Sequence, residues 1–343
     1  MKRFSLAITI GSLLAAAHSV TAQVPSVREI NLYGLEKVSP ERVLQAAKLQ
    51  TGQPLPPSKG EMEESIAKLP GVMRARVEAI CCEGKYAVLF VGIEERTGPH
   101  MEFHPQPSGT ASLPEEIMDA YHQFLTALRR GAAVNQDKPR ERDPELAAIT
   151  EKFTSFASNK LPELRNALRD SPDPEERAAA AVVIGYAQDK SAIAADLQYA
   201  MRDPDEAVRG NAIRSLHAAV MKADTPSQAV PVPFTTLVDL LHSVVLSDRV
   251  EAADMLVTVT DDGNPQAIAL MRSEALPTLI EMARWKSLFY ALPPFMLVGR
   301  IAGLPEQEIQ SRWTNGDREY VIRKALATLH QATKPAQPKQ PLK

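Results

Sequence analysis

Apolar positions follow two different periods along the chain, one before and one after residue 113. Between residues 26 and 96, strand-like alternation is interrupted by two stretches with helical spacing. The elements predicted there are a strand at 27–32, helices at 40–48 and 61–69, and strands at 73–82 and 85–95 joined by a tight turn. From residue 114 to about 331, apolar residues recur every three or four positions. The pattern therefore predicts a small α+β domain, ordered β-α-α-β-β with a three-stranded sheet, and then an all-α region.

The second predicted strand alternates clearly between two kinds of side chain. One face carries small and apolar residues: Ala75, Val77, Ala79 and Cys81. The other face carries charged residues and a cysteine: Arg74, Arg76, Glu78 and Cys82. We expect the first face to pack under the helices and the second to meet solvent or a partner. If this strand lies at the sheet edge, its amides offer a pairing site, although the arginines would also protect such an edge against aggregation.

The helical region contains a segment that occurs twice at an offset of about 32 residues. The matched pairs are Asp173 and Asp205, Arg177 and Arg209, Ala180 and Ala212, and Ile184 and Leu216. A third copy contains Arg249, Ala252 and Leu256. Tandem helical units of this length cannot bury their apolar faces alone, so they stack side by side around a continuous core. The repeat therefore predicts an α-solenoid.

The first domain resembles POTRA domains, the small modules of outer-membrane assembly and secretion proteins. The resemblance rests on five short motifs in order: VREINLYG at 27–34, VSPE at 38–41, TGQPL at 51–55, IAKLPGV at 66–72 and LFVGIEE at 89–95. It implies a three-stranded sheet with two helices on one face. It also implies that partners bind by pairing a strand with an exposed edge of this sheet.

The repeated segment resembles HEAT repeats, most clearly at DPDEAVRGNA, residues 203–212, and at the equivalent residues 173–180. In that family the loop aspartate and the helix arginine bridge successive repeats, and an inner surface of helices contacts partner proteins. The resemblance implies a structural role for five residues: Asp173, Arg177, Asp205, Arg209 and Arg249. An aspartate near a helix start also complements the positive end of the helix dipole.

The two ends of the chain and a central segment have distinct compositions. Residues 1–22 combine Lys2 and Arg3 with a short apolar stretch and small residues up to Ala22, which is typical of a cleaved secretory signal peptide. The apolar stretch is too short to span a bilayer. We therefore expect an exported protein, periplasmic or associated with the cell envelope. Its predicted parts are the POTRA-like domain at 26–96, a Gly-, Pro- and Ser-rich linker at 97–113, the solenoid at 114–332 and a disordered tail at 333–343.

Charge and motif content narrow the function. The formal net charge is −3, or −5 without Lys2 and Arg3, and no basic cluster is present, so a nucleic-acid partner is not expected. Phosphate-binding loops and catalytic motifs are also missing from the sequence, so we expect no enzymatic activity, catalytic residue, cofactor or metal. One alternative is an accessory enzyme or metal-binding repeat protein that uses His100, Glu102 and His104. These three alternate along an extended segment, but no rigid neighbour is predicted to hold a further ligand.

Cys81 and Cys82 are the only cysteines. Neighbouring residues of a strand point to opposite faces, so a disulfide between these two would distort the backbone. In an oxidising compartment, an exposed Cys82 would be available to another protein. Together these features predict a non-enzymatic scaffold or adaptor for envelope or exported proteins. It would bind by sheet-edge pairing and through the solenoid groove, with self-association through the same edge as an alternative.

Overall fold

The computed structural model describes residues 24–83, 85–134, 144–222, 230–261 and 263–332, with only the backbone described at 81–83, 131–134 and 330–332. The predicted signal peptide, the predicted tail at 333–343 and the side chain of Cys82 lie outside the described part. No helix within these ranges is long and apolar enough to cross a membrane.

The N-terminal part contains three strands and two helices in the predicted order. Their bounds are β1 Ser26–Tyr33, α1 Pro40–Ala46, α2 Lys59–Ala67, β2 Val72–Glu83 and β3 Tyr86–Glu95. The sheet order is β1-β3-β2, with β1 parallel and β2 antiparallel to β3. Both helices begin at a serine N-cap, because the hydroxyls of Ser39 and Ser58 accept a backbone N–H three residues later. The predicted α+β arrangement is confirmed.

One face of this sheet packs against α1 and α2 through apolar side chains. Val43, Ile66, Val77, Leu89 and Val91 form the centre of this core, and each is almost completely buried. Burying an aliphatic side chain of this size contributes about 1.5–3 kcal/mol. This core holds the small domain together.

From Glu115 onward the described chain is mainly helical, and its helices stack as a solenoid, as predicted. Their bounds are α3 Glu115–Val134, α4 Pro144–Asn159, α5 Leu161–Asp170, α6 Pro174–Ile184, α7 Ala194–Ala200, α8 Glu206–Met221, α9 Phe234–Leu240, α10 Leu246–Val259, α11 Pro265–Glu274, α12 Leu276–Ala283, α13 Leu288–Ile301, α14 Glu306–Thr314 and α15 Arg318–Ala332. Helices α6, α8, α10 and α13 lie next to one another in the interior. Gly185 allows α6 and α8 to approach closely, because a Cβ at this position would overlap Ser215.

The second face of the sheet lies against the solenoid. Tyr33 and Phe90 belong to the same continuous core as solenoid residues such as Leu241 and Trp285. The sheet is therefore covered on both faces, by its own two helices on one side and by the repeats on the other.

Candidate protein-binding site

Three arginines at equivalent positions of α6, α8 and α10 connect successive repeats, and we call Arg177, Arg209 and Arg249 the arginine ladder. Arg177 donates to both carboxylate oxygens of Asp203 at 2.8 and 2.9 Å. Arg209 donates to both oxygens of Asp248 at 2.7 to 3.1 Å. Each ladder arginine also donates to the backbone carbonyl six residues before it. Because each ladder arginine meets both a carboxylate and a backbone carbonyl, these charges are tolerated in the interior.

The bridging carboxylates differ from the residues that the HEAT resemblance indicates. Asp173 and Asp205 are helix N-caps, and each accepts the backbone N–H two residues later at 2.9 Å. The bridges are formed by Asp203 and Asp248 instead. The expectation that Asp173 and Asp205 bridge repeats is therefore wrong. A capping carboxylate is directed at its own helix, so it does not reach the arginine of a neighbouring repeat.

The third member of the ladder contacts the N-terminal domain. Arg249 lies 3.4 Å from a carboxylate oxygen of Glu281, and the two oxygens of Glu281 accept the backbone N–H of Gly34 at 3.0 and 3.1 Å. The guanidinium of Arg249 also lies over the ring of Tyr33, 4.6 Å from its centroid. Burial raises the pKa of Glu281, although Arg249 and the Gly34 amide oppose this effect. This end of the ladder therefore holds the sheet.

A close approach next to this contact fixes the sheet on the loop between α9 and α10. The hydroxyl of the fully buried Tyr33 donates to the carbonyl of Val244 at 2.8 Å. Gly92 makes this approach possible, because a Cβ there would overlap both the Val244 carbonyl and the Tyr33 ring. Phe90 adds an edge-to-face contact with Trp285, with ring centroids 5.2 Å apart. Burial raises the pKa of Tyr33, which keeps its hydroxyl protonated as a donor.

The segment at 97–113, predicted as a linker, packs on the repeats at its centre. The ring of Phe103 lies under the guanidinium of Arg209, 4.3 Å away. The ring of His104 stacks on Tyr199 at 4.3 Å. Such aromatic contacts with a cation or another ring stabilise an otherwise irregular segment.

This packing separates the three residues considered as metal ligands. The side chain of His104 is against Tyr199, and Glu102 contributes its backbone carbonyl to Arg202 at 3.2 Å. His100 is exposed, with a ring nitrogen 3.4 Å from the carbonyl of Gly98. Within the described ranges, no three His, Cys, Asp or Glu side chains are arranged to hold a metal ion. The alternative based on these residues gains no geometric support.

The charged face of β2 is turned toward the solenoid of the same chain. Arg74 pairs with a glutamate of β3, and Arg76 pairs with Glu206 at the start of α8. Glu78 accepts the backbone N–H of Leu246 at 3.1 Å. These residues therefore help to seat the sheet, and their role in binding another protein stays a prediction.

β1 and β2 are the two edge strands of this sheet, and no other strand of the described chain pairs with the outer edge of β2. The N–H of Val77 points outward and is accepted by Glu63 at 2.8 Å. Because backbone groups alternate along an antiparallel strand, Ala75 also presents its N–H and C=O outward. The backbone N–H and C=O of Ala79 also point outward. Its side chain was expected to pack under the helices, but it is exposed.

A groove runs along this edge, and we call it the edge groove. Its volume is about 600 Å³. One wall is formed by α2 and by residues 73–76 of β2. The opposite wall comes from residues 204–206, Val244 and Val245 of the solenoid, with Phe103 and Arg209 between the walls. An exposed strand edge facing a groove is the geometry of strand addition.

A sequence profile for HEAT repeats matches residues 161–243. The match includes Arg177, Asp203 and Arg209, the residues that form the first bridges of the ladder. No curated protein matches the chain. HEAT repeats are in general scaffolds for protein interactions, which agrees with a scaffold role. The matched segment does not include residues 26–96, so the resemblance of that domain to POTRA domains stays a prediction.

Proposed function

We propose that this chain is an exported, non-enzymatic scaffold or adaptor of the cell envelope. In this proposal, an extended segment of a partner protein enters the edge groove and pairs with β2. The proposal rests chiefly on one observation: the unpaired edge around Ala75 faces a groove of about 600 Å³.

The arrangement of the edge defines where pairing starts. Glu63 already accepts the N–H of Val77, so this amide is occupied. The groove-lining part of the strand before Val77 is residues 73–76, and within it Ala75 has its backbone N–H and C=O turned outward. Main-chain hydrogen bonds there supply affinity, and the side chains of the two walls supply specificity.

The solenoid contributes rigidity as well as a wall. The contacts of Tyr33, Gly34 and Glu78 hold the sheet against the repeats, so the edge is fixed before a partner arrives. A preorganised site loses little conformational freedom on binding. This supports a role in which the repeats present the edge.

The location in the envelope is supported by two features of the sequence. The first is the signal-peptide pattern of residues 1–22, and the second is the POTRA resemblance of residues 26–96. Self-association through the same edge is a second use of this geometry, in which the partner is another copy of the chain.

The test uses proline substitution at two positions of the same edge. Ala75→Pro removes an outward donor inside the groove, whereas Ala79→Pro removes one outside it. The parent chain is captured with its partners from an envelope fraction by a photo-crosslinking residue at position 73, and circular dichroism verifies that each variant is folded. We expect Ala75→Pro to abolish the crosslink and Ala79→Pro to retain it.

Two results would contradict the proposal. One is a crosslink that survives in folded Ala75→Pro, and the other is an equal loss in both variants. Sedimentation of the crosslinked product distinguishes a second copy from a different protein.

A further inference from the structure

A second cleft lies on the solenoid between α3, α4, α6 and α8, away from the edge groove, and we call it the amphipathic cleft. Its volume is about 650 Å³. This value falls in the range of small-molecule sites, roughly 300–1,000 Å³. None of its lining residues belongs to the edge groove, so a ligand bound here would not occupy the strand-pairing edge.

The cleft has an apolar side built from α3, α6 and the turn that follows α6. The apolar side chains are Phe124, Leu125, Leu128, Val182 and Tyr186. Most of them are only partly buried, so they keep apolar surface in contact with solvent. The rings of Phe124 and Tyr186 each pack on Phe153, 5.4 Å away, which holds them in place. A rigid apolar surface of this kind favours an apolar ligand.

The other side of the cleft is positively charged. Lys190, Arg214 and Lys222 line it, and its described lining residues include no carboxylate. Arg214 is paired with Glu251 at 2.7 Å, which neutralises that cation. Lys190 donates to the backbone carbonyl of Gly185 at 2.7 Å, and no carboxylate in the described ranges forms an ion pair with it.

The positive charges of Lys190 and Lys222 repel one another. Burial lowers the pKa of Lys190, and the positive charge of Lys222 lowers it further. An anionic group between the two ammonium groups would relieve this repulsion and form charge-assisted hydrogen bonds. The remaining atoms of such a ligand would then lie over the apolar side.

We propose that the amphipathic cleft binds an anionic amphiphile, a molecule with one carboxylate or phosphate headgroup and an apolar body. Lys190 and Lys222 bind the headgroup. Phe124, Leu125 and Leu128 contact the apolar body. The chemical class follows from two lysines that have no carboxylate partner among the described residues and that lie beside an apolar surface.

Calorimetric titration of the full chain with dodecanoate, dodecyl phosphate and dodecanol tests this inference. We expect dodecanoate or dodecyl phosphate to bind with a micromolar Kd, and dodecanol to bind at least tenfold more weakly. The relative affinity of the two anions identifies the preferred headgroup. Lys190→Gln and Lys222→Gln should each weaken binding of the anion by about tenfold, the loss of one charge-assisted contact.

A matched pair of variants locates the ligand. Ala218→Trp fills the cleft on α8, whereas Ala207→Trp introduces the same side chain at an exposed position of that helix outside the cleft. We expect the first to abolish binding and the second to preserve it. Equal affinity for dodecanol, or anion binding that survives Ala218→Trp, would overturn the proposal. An acidic amphipathic peptide that binds the cleft when neither anion does would overturn it in favour of a protein ligand.

Discussion

Arg209 and Arg249 occupy the same position of successive repeats, but their contacts join different parts of the molecule. We call each of these contacts a step of the arginine ladder. In the first, Arg209 donates to both oxygens of Asp248, and both side chains are at most 2 % exposed. In the second, Arg249 lies 3.4 Å from Glu281, whose oxygens accept the Gly34 amide. The first step joins two repeats, and the second joins the repeats to the sheet. A contact between repeats therefore becomes a contact between domains when the carboxylate beside the arginine also accepts a backbone N–H of the N-terminal domain.

The largest expected effect on stability comes from breaking the Arg209–Asp248 contact between two repeats. Arg209→Ala leaves Asp248 buried without its cation, and it also removes the surface on which Phe103 packs. Loss of one partner of a buried ion pair costs about 3–5 kcal/mol in the free energy of unfolding. Urea denaturation of the full chain measures this loss.

The matched control for that experiment is Arg214→Ala on the same helix. Arg214 pairs with Glu251, but its side chain is 52 % exposed. Exposed pairs contribute at most about 1 kcal/mol. Similar losses in the two variants would contradict the view that the ladder supports the solenoid through burial.

Breaking the Arg249–Glu281 contact should lower the free energy of unfolding by less, and it should affect mainly the docking of the sheet. Glu281→Gln keeps the side-chain shape and one acceptor oxygen but removes the charge opposite Arg249. We expect a loss of about 1–3 kcal/mol, the range for a hydrogen bond to a charged group. Hydrogen exchange should show faster exchange at Gly34, and proteolysis should show faster cleavage within residues 97–113, while α6 and α8 stay protected.

Glu319→Gln is the control for this variant, because Glu319 also pairs with an arginine, Arg284, at an exposed site. It should leave exchange at Gly34 unchanged. Uniformly faster exchange across the whole solenoid in Glu281→Gln would show that the second step is not specific to docking of the sheet.

The smallest effect concerns a carboxylate of α10 that has no arginine partner in the described part of the chain. Burial, together with the nearby charge of Glu251, raises the pKa of Asp254 to about 6. The native state therefore holds a proton that the unfolded chain, with an ordinary pKa near 3.9, has lost between about pH 4 and 6. Stability from this group is present at low pH and is lost as the pH rises through 6.

Asp254→Asn should consequently raise the free energy of unfolding at pH 7.5 and leave it almost unchanged at pH 4. The gain should be below about 1 kcal/mol, because the side chain is partly exposed and screened by solvent. Urea midpoints at the two pH values measure it. A gain of equal size at both values would exclude titration of Asp254 as its cause.

Several parts of this structure were predictable because they depend on neighbours within a few residues. The Ser39 cap and the hairpin of β2 and β3 follow from local turn and capping chemistry. The positions of Arg177 and Arg209 follow from the repeat. The bridging role of Asp203 was not predicted, because Asp203 and Asp205 look equally suitable in the sequence.

The candidate site was much harder to predict, because its contacts join residues that are distant in sequence. The bond from Tyr33 to Val244 joins residues 211 positions apart, and neither residue type indicates such a contact. Phe103 lies in a segment whose composition is typical of a linker, yet its ring is against Arg209. The edge groove and the amphipathic cleft each combine residues from helices that are distant in sequence.

The sequence by itself determined the element order, the Ser39 cap and the repeat, since each of these is decided by periodicity or by contacts within one turn. Only the tertiary structure decided that the ladder continues into the sheet and that one sheet edge faces a groove. The physical reason is that a buried carboxylate or an open strand edge acquires its role from whichever group packs beside it. That neighbour is determined by the packing of whole helices and strands.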